Sequence, residues 1–296
     1  MYRHSNNNQL FAITANHNGS SAPSRGSAIY ITTTTTTPKL VDDPNTGKMI
    51  LIFNNNSTGE CRALTMSGSS LTDASGHQFS SNSGSYYNGV YDTVNSKLII
   101  TWSESNTVKA RTATTSGNSF TFSSSTVTLG TIVGGNYAAL TFNTETEKAT
   151  WVGKHSTDNY LYYADVDASG SNPTFGTAAI VDNSNTNNNW TSGVFDPDTK
   201  QDFFCWQATN DRGSAAVRNA GSTTLTTENF IGFSSAAYTN GQTATINVTG
   251  NTSTQSSLTP GQKYYVQKNG SIGLTAADPS VEAGTALTST KLLIKA

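Results

Sequence analysis

Asp43-Pro-Asn-Thr-Gly-Lys48 followed by Met49-Ile-Leu-Ile-Phe53, and Asp92-Thr-Val-Asn-Ser-Lys97 followed by Leu98-Ile-Ile-Thr-Trp102, are two copies of one pattern. A polar turn opens on an aspartate and a short apolar run follows. The pattern returns as Asn143-Thr-Glu-Thr-Glu-Lys148 before Ala149-Thr-Trp-Val152, and as Asp196-Pro-Asp-Thr-Lys200 before Asp202-Phe-Phe-Cys-Trp206. The anchors at 43, 92, 143 and 196 stand 49, 51 and 53 residues apart. A fixed period near 50 marks a repeat architecture, and the fold follows from what one repeat contains.

Each repeat expands in the same way. A short run ends at the anchor, as in Gly89-Val-Tyr-Asp92 and Gly193-Val-Phe-Asp196. The turn and the apolar run complete a hairpin. An alternating strand comes next, at 108–114, 160–166 and 214–220, and two repeats add a fourth run at 120–129 and 175–182. Four strands per unit of about 50 residues match a β-propeller blade. A lone sheet cannot bury both faces, whereas sheets arranged around an axis bury them against one another. No helical apolar stripe is longer than two turns. The expected fold is therefore all-β, with irregular propeller-like repeats in about four blades over residues 1–221. The runs at 9–14 and 27–36 read as strands that complete the last blade, because the fourth repeat lacks its fourth run. A ring of four or five blades, an open array and a fragment of a longer chain all fit these repeats.

After residue 221 the anchored turn disappears. Residues 222–296 offer short strands at 243–248, 263–267, 272–274, 283–287 and 291–294, separated by turn signals such as Asn269-Gly270. They read as a small β-barrel or sandwich-like domain near the lower size limit of independent folding.

Composition narrows the function classes. Charged residues make up 12%, about half the ~25% usual for soluble domains, and net charge is −2. Nucleic-acid binding needs clustered cations, so none is expected. No apolar stretch is long enough for a membrane span, and the N-terminus shows no signal-peptide core. Cys61 and Cys205 match no metal or redox spacing and read as free thiols, although a closed ring could bring them together. His4, His17, His77 and His155 are scattered, so neither a metal nor a cofactor is implied. The asparagine sequons arise readily in so Asn- and Thr-rich a chain.

Candidate site residues are weighed against the repeat. Asp43, Asp92 and Asp196 suit calcium or acid–base chemistry, but recurrence makes them scaffold, accepting backbone hydrogen bonds at exposed turns. Trp102, Trp151 and Trp206, with Phe53, recur as packing residues between blades. Trp190 lies outside the pattern. With Asn187, Asn188 and Asn189 it forms an aromatic among amides, suited to carbohydrate recognition, against the plainer reading of a loop aromatic folded onto the core. A sialidase-like, glycan-degrading propeller needs an arginine cluster and a Tyr nucleophile paired with an acid. Arg62 and Arg111 occupy similar places in successive repeats, but the remaining roles are unfilled and no catalytic residue is expected.

The anchored units resemble repeats of tail-fibre-like proteins from marine phages and marine bacteria. The C-terminal stretch resembles a module of marine-phage structural proteins, notably those of cyanobacteria. It does so through Glu228-Asn-Phe-Ile-Gly232, Leu258-Thr-Pro-Gly-Gln-Lys-Tyr-Tyr-Val-Gln267 and Gly284-Thr-Ala-Leu-Thr-Ser-Thr-Lys-Leu-Leu-Ile-Lys295. The resemblance implies a non-enzymatic virion protein of the tail or fibre apparatus. Its expected partners are other virion proteins and a host-surface glycan or protein. The alternative is a tail, collar or capsid-decorating protein without receptor binding. By analogy with fibres, it implies a homo-oligomer, a trimer.

Overall fold

The computed structural model describes residues 2–4, 8–16, 24–33, 38–133, 136–183, 189–208, 212–218, 230–239, 242–267, 270–276 and 280–295. All regular structure among them is antiparallel β, and no sheet closes on itself. The chain divides into two compact units, 1–220 and 221–296.

Among the described residues the first unit contains five successive sheets of three to five strands, and a short ribbon of Ala15–Asn16 with Ser24–Arg25. Sheet I joins Tyr2–His4, Gln9–Ala12 and Ile29–Thr33. Sheet II runs through Lys39–Asp43, Lys48–Asn55 and Thr58–Ser67, sheet III through Ser85–Asp92, Lys97–Glu104 and Thr107–Ser116, and sheet IV through Asn136–Asn143, Lys148–Lys154 and Leu161–Asp167. Sheet V has Asn189–Asp196, Gln201–Gln207 and Gly213–Arg218. In sheets II, III and IV the fourth strand is split into two pieces that both pair with the third strand. The pieces are Ser70–Asp73 and His77–Ser80, Ser119–Phe122 and Val127–Val133, and Thr174–Phe175 and Ala179–Asp182. The long runs at 120–129 and 175–182 are thus each two strands, because intervening Ser, Thr and Gly residues leave the ladder.

The polar turn sets the register. The pairs Asp43↔Lys48, Asp92↔Lys97, Asn143↔Lys148 and Asp196↔Gln201 close all four hairpins over four residues. The residue before the second strand is left-handed in every copy: Gly47, Ser96, Glu147 and Lys200. Lys200 therefore fills the slot of Gly47, not that of Lys48.

Two-residue alternation then decides which sheet touches which. Even offsets after the anchor face the preceding sheet. Leu51 and Phe53 pack on Leu10, Ala12 and Ile31 of sheet I. Ile100 and Trp102 pack on Ile50, Ile52 and Phe79 of sheet II. Trp151 joins Ile99, Val108 and Leu129 of sheet III. Phe204 and Trp206 join Val152 and Leu161 of sheet IV. Trp151 is eighth after its anchor, whereas Trp102 and Trp206 are tenth. Both offsets are even, so the indole reaches the same interface. The four recurrent aromatics are fully or almost fully buried, with Phe53 at 0% and Trp206 at 6% exposure.

The N-terminal strands do not complete the last sheet. They pair with one another and lie against sheet II, because Leu10, Ala12 and Ile31 put an apolar face on Leu51, Phe53 and Leu64. Cys61 is buried in sheet II and Cys205 is exposed on sheet V, both as free thiols. Burial, then the neighbouring Glu60 charge, pushes the Cys61 thiol far up.

The second unit holds an open five-stranded sheet, in the order Thr252–Thr254, Lys291–Ile294, Glu282–Ala286, Lys263–Val266 and Ile272–Gly273. A two-stranded ribbon joins Phe233–Ser234 to Ile246–Asn247. The unit has its own core of Phe230, Leu258, Tyr264, Val266, Val281, Ala283, Ala286 and Leu292. The Val266↔Ile272 pairing closes the hairpin around Gly270, whose φ of 82° favours glycine. Asn269 lies outside the described residues.

Candidate functional site

The first strands of sheets II to V lie side by side. In sheets III, IV and V that strand carries a one-residue bulge. The ladder shifts between Ser85 and Asn88, between Asn136 and Ala139, and between Asn189 and Ser192. Each bulge contains a left-handed aromatic: Tyr86 (φ 53°), Tyr137 (φ 50°) and Trp190 (φ 51°). All three stand six residues before their anchors. A left-handed residue with a Cβ costs roughly 1–2 kcal/mol, and bulges re-aim side chains. Here the same device recurs in three sheets, each time on an aromatic.

The result is a row of rings crossing three sheets. Tyr86 and Tyr137 have centroids 5.1 Å apart at 56°, and Tyr137 and Trp190 are 5.1 Å apart at 51°. Tyr86 and Tyr137 are half-buried, whereas Trp190 is 69% exposed at the end of the row. Beside it, Lys154 Nζ donates to Asn189 Oδ1 at 3.2 Å. Burial lowers the pKa of the Lys154 ammonium. The Tyr86 phenol is raised, first by burial and then by its neighbour Tyr137. Below the row, Asn88 Nδ2 donates 2.9 Å to the Ala138 carbonyl and joins two first strands.

Trp190 is therefore a repeat residue, not a feature outside the pattern, and its ring is not folded onto the core. The four-residue turn marks the repeat, so reading forward from it leaves the upstream aromatic unaligned. Counting six residues back from each anchor finds all three. Asn189 belongs to the first strand of sheet V, while Asn187 and Asn188 lie outside the described residues.

The anchors take the scaffold role but are not exposed. Asp43 is 1% exposed, and Asp92 and Asn143 are 0%. Each accepts from backbone N–H groups two and three residues on: Asn45 and Thr46, Val94 and Asn95, Glu145 and Thr146. They close an inner strand that the next sheet covers. Asp196 makes the same turn, with Asp198 N at 3.0 Å, yet stays partly open. Arg62 and Arg111 do not converge. Arg62 pairs with Glu60 and Asp73, and Arg111 donates to the carbonyls of Phe79 and Ser123. Among the described residues no group of three or more His, Cys, Asp or Glu is placed to hold a metal.

A second polar constellation lines a cleft of about 180 Å³ at sheet III. Glu104 accepts from Lys109 (2.5 Å), Trp102 Nε1 (2.8 Å), Ser80 (2.8 Å) and Asn82 (3.0 Å). Burial opposes its ionisation, but these four donors outweigh burial and bring its pKa from 4.5 to about 2. The unfolded chain thus takes up this proton first as pH falls. The stabilisation is complete above the unfolded value and disappears as pH drops through about 2. In an acid series of melting temperatures, wild type is expected to lose more stability between pH 5 and 2 than Glu104→Gln does. Equal slopes would remove the assignment.

No protein-family model matches the chain, and no curated protein matches it.

Proposed function

We propose that this chain is a non-enzymatic phage virion protein of the tail or fibre apparatus that attaches to a host-surface glycan. In this reading the five sheets form an irregular propeller-like array. The C-terminal unit ties the chain to other virion proteins, and the aromatic row is the attachment surface. The row carries the reading: three rings from three sheets, fixed in an unfavourable backbone conformation, one of them largely in water. Aromatic faces stack on the C–H faces of sugar rings, while the Lys154 and Asn189 head groups supply polar contacts at the edge. The virion assignment rests on the C-terminal resemblance.

The test uses a panel of bacterial lipopolysaccharides and capsular polysaccharides, with binding measured by calorimetry. Trp190→Ala is expected to weaken binding by about 2 kcal/mol or more, the scale of a Trp hot spot, which is about 30-fold in Kd. Its melting temperature should stay at the wild-type value. Binding unchanged in Trp190→Ala, or absent for the whole panel, would leave the structural tail or collar role in its place. Release of free sugar would instead point to a glycan-degrading enzyme.

A further inference from the structure

A lysine stands beside the exposed end of the aromatic row. Lys154 pairs in the ladder with Asn136, next to Tyr137, and its Nζ reaches Asn189 Oδ1 at 3.2 Å, next to Trp190. The ammonium therefore lies beside the place where the last two rings meet.

Position in the repeat singles this lysine out. Lys154 is eleventh after its anchor, and the eleventh residues of the other repeats are Asn54, Ser103 and Gln207, all uncharged. Eleven is an odd offset, so the side chain points toward the following sheet, where Asn189 and Trp190 stand.

Its surroundings supply no opposite charge. Lys109, Lys148 and Lys200 each meet a carboxylate, that of Glu104, Asp167 and Glu145 respectively. Among the described residues no carboxylate is ion-paired with Lys154, and its bond is to a neutral amide. The acids of sheet IV are engaged elsewhere: Asp158 with His155 and Tyr162, Asp165 with Arg218, and Asp182 with the Trp206 indole. Burial lowers the Lys154 pKa, and no neighbouring charge opposes it. A partly desolvated ammonium is unfavourable until an anion meets it. The undescribed residues that flank the row in sequence, 134–135 and 184–188, contain only Gly, Ser, Thr and Asn.

We propose that the row takes acidic glycans, with an anionic substituent of the sugar, a carboxylate or a phosphate ester, seated on Lys154 while the sugar ring stacks on Trp190. This rests on the glycan-attachment reading and adds the class of sugar to it. A neutral glycan leaves the ammonium with its amide acceptor alone. An acidic one gives it a charge-assisted hydrogen bond at the same place.

Matched polymers test this on the full chain. Each member of the lipopolysaccharide and capsular panel is titrated before and after two treatments. Carbodiimide activation with borohydride reduction turns carboxylates into alcohols, and hydrofluoric acid removes phosphate esters. One treatment is expected to weaken wild-type binding about 10- to 100-fold, and the effective treatment names the anionic group. Lys154→Gln keeps a polar partner for Asn189 but removes the charge. It is expected to bind the native polymer about 10- to 100-fold more weakly than wild type, and the treated polymer equally well. Lys154→Arg should retain the preference, whereas Trp190→Ala should weaken both forms alike. Added salt should weaken native-polymer binding more in wild type than in Lys154→Gln. Where Lys154→Gln loses its cooperative melt, Lys154→Met takes its place. A lysine that only bridges sheets IV and V would change both forms equally, and that result would overturn the proposal. Native and treated polymers bound equally by wild type would overturn the acid preference and leave glycan attachment standing. Absence of binding to every polymer would remove both. Asp211, in the undescribed residues 209–211, is the control. Asp211→Asn is expected to keep the wild-type preference, and a stronger preference would show that Asp211 already neutralises Lys154, against the proposal.

Discussion

Trp102→Ala is expected to lower the unfolding free energy by about 3–5 kcal/mol, the cost of truncating a large aromatic in a packed core. Trp190→Ala is expected to change it by less than about 0.5 kcal/mol. The residue type is the same and the chain is the same, so the contrast isolates position. Trp102 is 1% exposed and lies edge-to-face on Phe79 with centroids 5.1 Å apart. Truncation opens a void between sheets II and III that the flanking strands, each held in a ladder, can fill only in part. It also removes one of the four donors to Glu104. Trp102→Phe keeps most of the ring area but loses the indole N–H, and is expected to fall between the two. Urea unfolding followed by circular dichroism provides the comparison. A loss below about 1 kcal/mol for Trp102→Ala would mean that sheets II and III do not depend on this ring.

The four hairpins and the recurrent buried aromatics were legible in the sequence because they depend on short-range chemistry. An Asp or Asn that bonds the backbone two residues on, and an apolar alternation that follows, need no knowledge of distant strands. Other features depend on what lies across an interface. Asp92 looks like a turn residue in water, yet sheet IV follows sheet III and the anchor is buried. The segment from Phe120 to Leu129 looks like one strand, yet its Ser-rich middle leaves the ladder and the ends pair separately. Trp190 looked solitary because the equivalent residues are tyrosines, so the shared property was aromaticity at a left-handed bulge and not identity. The runs at 9–14 and 27–36 read as part of the last blade, because a missing strand at one end and spare strands at the other suggest closure. The apolar face formed by Leu10, Ala12 and Ile31 binds those strands to sheet II instead.

Asp202→Leu is expected to cost about 3–5 kcal/mol, and the triple variant Asp202→Leu, Thr141→Val, Thr150→Ile is expected to recover most of that loss. Asp202 is sixth after its anchor, where the other repeats carry Met49, Leu98 and Ala149. It is 0% exposed. Its carboxylate accepts from Thr141 (2.8 Å), Thr150 (3.2 Å) and Asn143 (3.3 Å), and Arg218 stands 3.8 Å away. Thr141 and Thr150 occupy positions held by Val41 and Val90, and by Ile50 and Ile99, in earlier repeats. The junction of sheets IV and V has thus exchanged three apolar side chains for a hydrogen-bonded set. Removing only the carboxylate leaves the two buried hydroxyls without their acceptor and the Asn143 amide with only its 3.5 Å contact to the Lys200 carbonyl, and unsatisfied buried groups cost more than the bonds contribute. Removing all three polar side chains restores the apolar complement found at the earlier junctions. Arg218 keeps its ion pair with Asp165 at 2.7 Å and its stacking on Tyr163 at 4.9 Å, so its charge does not become an orphan. Denaturant unfolding of the single, double and triple variants measures the coupling directly. A triple variant no more stable than Asp202→Leu would show that the aspartate stabilises sheet V through Arg218 and Asn143, and that the two threonines follow it without contributing.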